Sequence, residues 1–186
     1  MPYKKLIEQD LKRADSVGQQ VIAKQYFQFM KEFGSQFGYI PLEKGYNMPD
    51  AVIFDIDGTL AHMNGKRNPY DWDKVGLDDV DTEMRELVRH YHSTWTEVII
   101  MSGRDGSCRG ETEEWLSTNE IPYNHLYVRE AGDTRPDFDV KNEIIQKHIN
   151  GRYNVVAWFD DRPAVVRLGH ILGAKMFAVG NQHLEF

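Results

Sequence analysis

The sequence predicts an α/β fold, a parallel sheet with helices on both faces behind a short helical extension. Three observations carry this expectation. From Ala51 onward, short runs of Val, Ile and Phe alternate with stretches of helical periodicity. The apolar runs are continuous rather than alternating, as in strands buried on both faces. The segments joining them have room for crossover helices, which makes right-handed parallel connections the expected topology. The result is a Rossmann-like layer structure.

Residues 1–49 read as one or two helices and a linker. Val21, Ile22, Tyr26, Phe29, Met30 and Phe33 fall close to helical spacing, and "GSQFGYIPLEKGYNMP" then supplies Gly and Pro punctuation. This stripe reads as a docking face, toward the rest of the chain or a second copy. The first 50 residues carry seven Lys/Arg and six acids, a balance of +1 that leaves −8 to the remainder of a chain of formal net charge −7 and puts a boundary near Asp50. Residues 50–186 form the expected second domain, in the order strand "AVIF", helix "TEMRELVRHYH", strand "EVIIM", a helix around "ETEEWLSTN", strand "HLYV", helix "VKNEIIQKHI", strand "VVAWF", helix "AVVRLGHIL" and strand "KMFAV". In the first of these helices Met84, Leu87, Val88 and Tyr91 share one face.

Composition excludes several classes. The acidic balance argues against a duplex-DNA binder held by phosphate neutralisation alone, so an anionic substrate needs a local basic patch or a metal ion. No run approaches the roughly 20 apolar residues of a membrane-spanning helix, and "MPYKKLIEQD" lacks a secretory h-region, so a soluble intracellular protein is expected. Cys108, the single cysteine, permits neither an intrachain disulfide nor a cysteine metal cluster.

In parallel sheets ligands sit beyond the carboxyl ends of the strands. Those positions read "DID" at Asp55 to Asp57, "SGR" at Ser102 to Arg104, "RE" at Arg129 and "DD" at Asp160 and Asp161. Four such acids repel one another unless a hard cation with oxygen ligands, such as Mg²⁺, lies among them. With a phosphate bound there, one carboxylate has the chemistry to attack phosphorus and a second to protonate the leaving oxygen and later activate water. Ser102, and Lys141 at the opening of its helix, suit the non-bridging oxygens.

Taken in order, "DIDGT", Ser102, Lys141 and "DD" resemble the four motifs of the haloacid dehalogenase-like (HAD) phosphatase superfamily. The resemblance implies the HAD fold, with Asp55 as nucleophile and Asp57 as general acid/base. It also implies Ser102 and Lys141 as phosphate binders with Thr59 and Gly103 beside them, and Asp55, Asp57, Asp160 and Asp161 as the Mg²⁺ acids. One of Asp160 and Asp161 reads as a cap for the helix near Pro163 while the other faces the metal.

A narrower likeness follows. "AHMNGKRNPYDWDKV", "SGR" and "REAGDTRPDFDVK" resemble segments of the 3′-phosphatase domain of phage polynucleotide kinase/phosphatase, and "LKRADSVGQQVIAKQYFQFMKEFG" bears a weaker likeness to the tail of the preceding kinase domain. This resemblance implies contact of Arg104, and of Lys66 or Arg67, with the substrate phosphate or backbone, supported by Arg129 and Arg135. It implies a Mg²⁺-dependent phosphatase acting on 3′-phosphorylated DNA or RNA ends, with a separate kinase or ligase as partner, in the cytoplasm (the host's, if phage-encoded). No GxxxxGK[ST] loop occurs, so no kinase activity is expected.

Only about twenty residues, Ala61 to Val80, separate the first strand from its helix, too few for a cap domain with its own core. The open site this predicts admits a polymer end, and Tyr70 and Trp72 read either as a platform for a terminal base or as edge packing. Two other functions fit less well: a phosphatase of a small metabolite or mononucleotide, and a non-catalytic end-binding module. The second does not need both Asp55 and Asp57.

Overall fold

The structure, a computed structural model, describes residues 3–12 and 17–180. Residues 13–16, part of the stretch resembling a kinase tail, lie outside the described residues. The chain divides into two compact units, residues 1–41 and 42–186.

The first unit holds α1 (Tyr3–Asp10), α2 (Gln19–Phe33) and a 3₁₀ turn, Gly34–Phe37. The Asp10 carboxylate accepts hydrogen bonds from the backbone N–H groups of Val17 and Gly18, at 3.1 and 3.0 Å, and so sets the turn that leads into α2. Met30 is buried, while Phe29 packs on Phe33 and Phe37 with ring centroids 5.2 and 6.1 Å apart.

Residues 42–49, which the sequence groups with the extension, belong by contact to the second unit. The Asn154 side chain donates to the carbonyls of Gly45 and Met48 and accepts from the Gly45 N–H, and Leu42 N–H donates to Leu172 O. From there the order is β1 (Asp50–Phe54), β2 (Ala61–His62), a 3₁₀ turn (Trp72–Leu77), β3 (Asp79–Val80), α3 (Thr82–Ser93), β4 (Glu97–Ser102), α4 (Arg109–Thr118), β5 (His125–Val128), α5 (Asp137–Ile144), β6 (Asn154–Asp160), α6 (Pro163–Ile171) and β7 (Met176–Ala178).

Five strands form one parallel sheet in the order β5-β4-β1-β6-β7, and β2 pairs antiparallel with β3 as a small flap. The HAD-like α/β fold expected from the sequence is present. Along β1, β4 and β6 alternate side chains serve opposite faces. Val52, Phe54, Val98, Ile100, Ala157 and Phe159 join Val88 of α3 and Trp115 and Leu116 of α4 in one buried cluster. The intervening Ala51, Ile53, Ile99, Met101 and Trp158 are equally buried and serve the other face, the side where α5 and α6 meet each other. Asp81 caps α3 by accepting from Met84 N–H at 2.9 Å, and Pro163 opens α6.

One helix starts earlier than expected. α5 begins at Asp137, so Lys141 lies one turn inside the helix rather than at its opening. Asp137 and Asp139 favour that start by placing negative charge in the first turn. Among the described residues no helix is long and apolar enough to cross a membrane.

Candidate active site

Because the strands run parallel, the ends of β1, β4 and β6 deliver Asp55, Ser102 and Asp160 to one edge of the sheet. Two glycines let the backbone close in around them. Gly58 has φ +85°, and a Cβ there would lie 2.1 Å from the Asp161 carboxylate; a Cβ on Gly103 would lie 2.1 Å from Asp137 Oδ1.

The site has two electrostatic halves. In the first, the fully buried Lys141 Nζ lies 2.9 Å from Asp55 Oδ1, 2.8 Å from Asp160 Oδ2 and 3.3 Å from Asp137 Oδ2. Oxygens of Asp55, Asp160 and Asp161 gather within 4.8 Å of one another. Burial, opposed by Lys141 but reinforced by Asp160 and Asp137, pushes Asp55 up to about 7. Burial and the Asp55 charge likewise push Asp161 up to about 7. For Lys141 the cost of burial is outweighed by Asp137, Asp160 and Asp55, which keep its ammonium protonated.

Four carboxylates here face three cations, Lys141, Arg162 and, at Asp137 alone, Arg129, so the half carries excess buried negative charge. Hard oxygen donors that close together, with charge left to cancel, fit a Mg²⁺ ion. A prediction follows for the metal-depleted protein. Asp55 and Asp161 lie above their ordinary value of 3.8, so the folded state holds extra protons, and the stability they contribute falls as pH rises from about 4 to about 7. The rise in melting temperature on adding Mg²⁺ is therefore expected to be larger at pH 8 than at pH 5.5, by roughly 5 °C. Calorimetry with and without EDTA checks this, and a shift independent of pH would refute it.

In the second half, Asp57 accepts from Arg67 Nη2 at 2.8 Å and from Arg104 Nε and Nη2, each at 2.9 Å. Asp78 accepts from Arg67 Nε and Nη2 and from Arg104 Nη2, all at 2.7 Å. Trp115 Nε1 donates to Asp78 O, and the Arg104 guanidinium lies over the Trp115 ring. Burial raises Asp57, but Arg104 and then Arg67 outweigh it and hold this carboxyl below the ordinary range.

The residues singled out in the sequence divide accordingly. Asp55, Asp160, Asp161 and Lys141 come together; Asp57, grouped above with the metal acids, instead turns its side chain to the two arginines. Arg67 is the buried member of its pair, whereas Lys66 is exposed and pairs with Asp79. Ser102 is buried, its Oγ accepting from Arg104 N–H at 3.2 Å, and Thr59 Oγ1 is buried without a hydrogen-bond partner among the described residues. Arg129 ties loops together: it donates to the carbonyls of Gly103, Asp133 and Arg135 and reaches Asp137 at 3.5 Å. Arg135 lies outside the cluster, exposed and paired with Asp133 and Glu143.

Sequence reasoning missed Asp78 and Asp137. For Asp137 a signal existed, since it stands one helical turn before Lys141. For Asp78 none did, because nothing in "LDDVD" separates the buried acid from its exposed neighbour Asp79.

A parallel sheet ending in these acids, with a buried lysine among them, defines a haloacid dehalogenase-like phosphatase fold. Solved structures agree: a class C acid phosphatase from Bacillus anthracis is 20% identical with a TM-score of 0.50, covering 79% of this chain and 70% of its own. Residues 49–183 match the family described as the polynucleotide kinase PNKP phosphatase domain, and the chain belongs to that family.

A protein of Autographa californica nuclear polyhedrosis virus, named as a bifunctional polynucleotide kinase/RNA ligase, is 34% identical over 97% of this chain and 26% of its own length. A chain in a structure of a Pnkp1/Rnl/Hen1 complex is 33% identical with a TM-score of 0.71, covering 74% of this chain and 48% of its own. A chain of a Pnkp1/Rnl/Hen1 RNA repair complex is 27% identical with the same TM-score, covering 96% of this chain and 62% of its own. This chain thus spans between about a quarter and three fifths of these relatives.

Proposed function

We propose that this chain is a Mg²⁺-dependent polynucleotide 3′-phosphatase that converts 3′-phosphorylated DNA or RNA ends to 3′-hydroxyl ends through a phospho-Asp55 intermediate. The observation that carries this reading is the divided site, with a nucleophile-type acid beside Lys141 on one side and an acid/base-type acid between two arginines on the other. Asp55 is only 2% exposed, so a protruding terminal phosphoryl group reaches it where an internal phosphodiester does not.

Asp55 attacks phosphorus, forming the acyl phosphate as the bond from phosphorus to the 3′ oxygen breaks; Asp57 gives that oxygen its proton. Water then attacks the acyl phosphate, Asp57 takes a proton from it, and inorganic phosphate leaves. Arg67 and Arg104 hold Asp57 ionised before substrate binds. Phosphate oxygens compete for the same guanidiniums, which releases Asp57 to take up the proton it later donates. Lys141 stays protonated and faces the charge that develops on phosphorus. Asp55, Asp160 and Asp161 are the residues that would hold Mg²⁺, which when bound supplies charge cancellation at the phosphate oxygens.

These residues carry no GxxxxGK[ST] loop, and no kinase step is assigned to them. The names of the relatives support a kinase or ligase as partner in the repair of nucleic-acid ends, and a place in the cytoplasm belongs to the same proposal.

The test is phosphate release, with Mg²⁺ and with EDTA, from a 3′-phosphorylated oligonucleotide, from the same strand phosphorylated at its 5′ end, and from a small aryl phosphate. The expected result is Mg²⁺-dependent loss from the 3′ end alone among the oligonucleotides. Activity confined to the small ester would replace this reading with a metabolite phosphatase, and inactivity on all three with a binding module.

A further inference from the structure

We infer that Tyr70 is a nucleobase subsite beside the phosphate site, a platform on which the base of the 3′-terminal nucleotide stacks; the inference rests on the 3′-phosphatase reading. The insertion between β1 and α3 is a fixed flap. The β2 and β3 strands pair at its base, and Val75 in its 3₁₀ turn is completely buried. Against that background Tyr70 is 81% exposed, a large aromatic face that contributes little to packing.

Its position relative to the chemistry follows from one guanidinium. Arg67 Nη1 donates to the carbonyls of Asn68 and Pro69, each at 3.2 Å, while Arg67 Nη2 donates to Asp57 at 2.8 Å. The peptide immediately before Tyr70 is therefore bound to the group that holds the proposed acid/base. Bonded geometry then puts the Tyr70 Cα at most about 11 Å from the Asp57 carboxylate, within the reach of one nucleotide. The ring is also oriented: Trp72 meets it edge-on, with centroids 6.0 Å apart and planes at 83°, and Trp72 N–H donates to Tyr70 O at 3.0 Å. Trp72 thus buttresses one side of a ring that remains largely open to solvent.

A bare aromatic face suits a single-strand end, since stacking accepts every base and adds affinity without demanding a sequence. It also favours a purine over a pyrimidine at the terminal position, because the larger ring system covers more of the platform.

Two measurements test this. In kinetics, Tyr70→Ala is expected to raise KM about tenfold for a 3′-phosphorylated oligonucleotide with a terminal purine. Tyr70→Trp should retain most of the affinity. The effect of Tyr70→Ala should vanish on a strand whose terminal nucleotide is abasic. Trp95→Ala, which removes a comparably exposed ring at the opposite end of the sheet, should change neither substrate.

In fluorescence, a 3′-phosphorylated strand ending in 2-aminopurine should be quenched on binding Asp55→Asn protein and should stay bright with Asp55→Asn/Tyr70→Ala. Equal losses on abasic and base-bearing ends, or quenching that survives loss of Tyr70, would overturn the subsite. Failure of wild-type protein to act on any 3′-phosphorylated strand would instead overturn the reading beneath it, and the fluorescence result judges the platform without turnover.

Discussion

Asp55→Asn protein is expected to fold normally and to lose Mg²⁺-dependent phosphate release by a factor on the order of 10⁴ or more. Asparagine keeps the shape of the side chain and a carbonyl oxygen for Lys141, which lies 2.9 Å from Asp55 Oδ1, but has no carboxylate oxygen to bond to phosphorus. Stability should not fall, because burial and crowding by Asp160 and Asp137 already oppose the charge that is removed. Rapid acid quench with a labelled 3′-phosphate should trap label on wild-type protein and none on the variant. Full activity in Asp55→Asn would mean that a different group attacks phosphorus.

Arg104→Ala is expected to cost about 3–5 kcal/mol of stability as well as activity, since it leaves two buried carboxylates with only Arg67 between them. Arg104 is fully buried and donates to Asp57 twice and to Asp78 once. Arg104→Lys should recover little, because an ammonium cannot span both carboxylates as the planar fork does. Adding Asp78→Asn to Arg104→Ala removes one of the stranded charges and should restore part of the lost stability. Chemical denaturation of the four proteins in this double-mutant cycle measures the coupling. Additive effects would show that the two side chains act independently.

Much of this architecture was legible in the chain because buried parallel strands announce themselves. "AVIF", "EVIIM" and "VVAWF" are continuous apolar runs, and each leads into a residue of the site, so strand and site were readable together. Lys141 was legible as a site residue but not its depth in α5, because helix starts depend on local capping that periodicity does not register. The orientation of Asp57 was not legible either. It depends on Arg67 and Arg104, one ten residues away and the other forty-seven, and only the folded chain decides which of several acids two guanidiniums choose. Arg129 and Arg135 looked alike in sequence but sit differently, one stapling three carbonyls and the other out in solvent.

The pairing of β1 with β6 has a kinetic consequence. Val52 pairs with Ala157 and Phe54 with Phe159, and Phe54, Phe159 and Phe177 stack across three strands with centroids 4.6 and 4.7 Å apart, one residue before Asp55 and Asp160. The two acids are thus joined by contacts between segments about a hundred residues apart, the kind that form late in folding because a long loop must close first. During refolding, helical signal should return before catalytic competence, which waits for the central strands to meet. In the native state the same arrangement is protective: the short edge strands β5 and β7 are positioned to fray first, while Asp55 and Asp160 stay registered on the innermost pair.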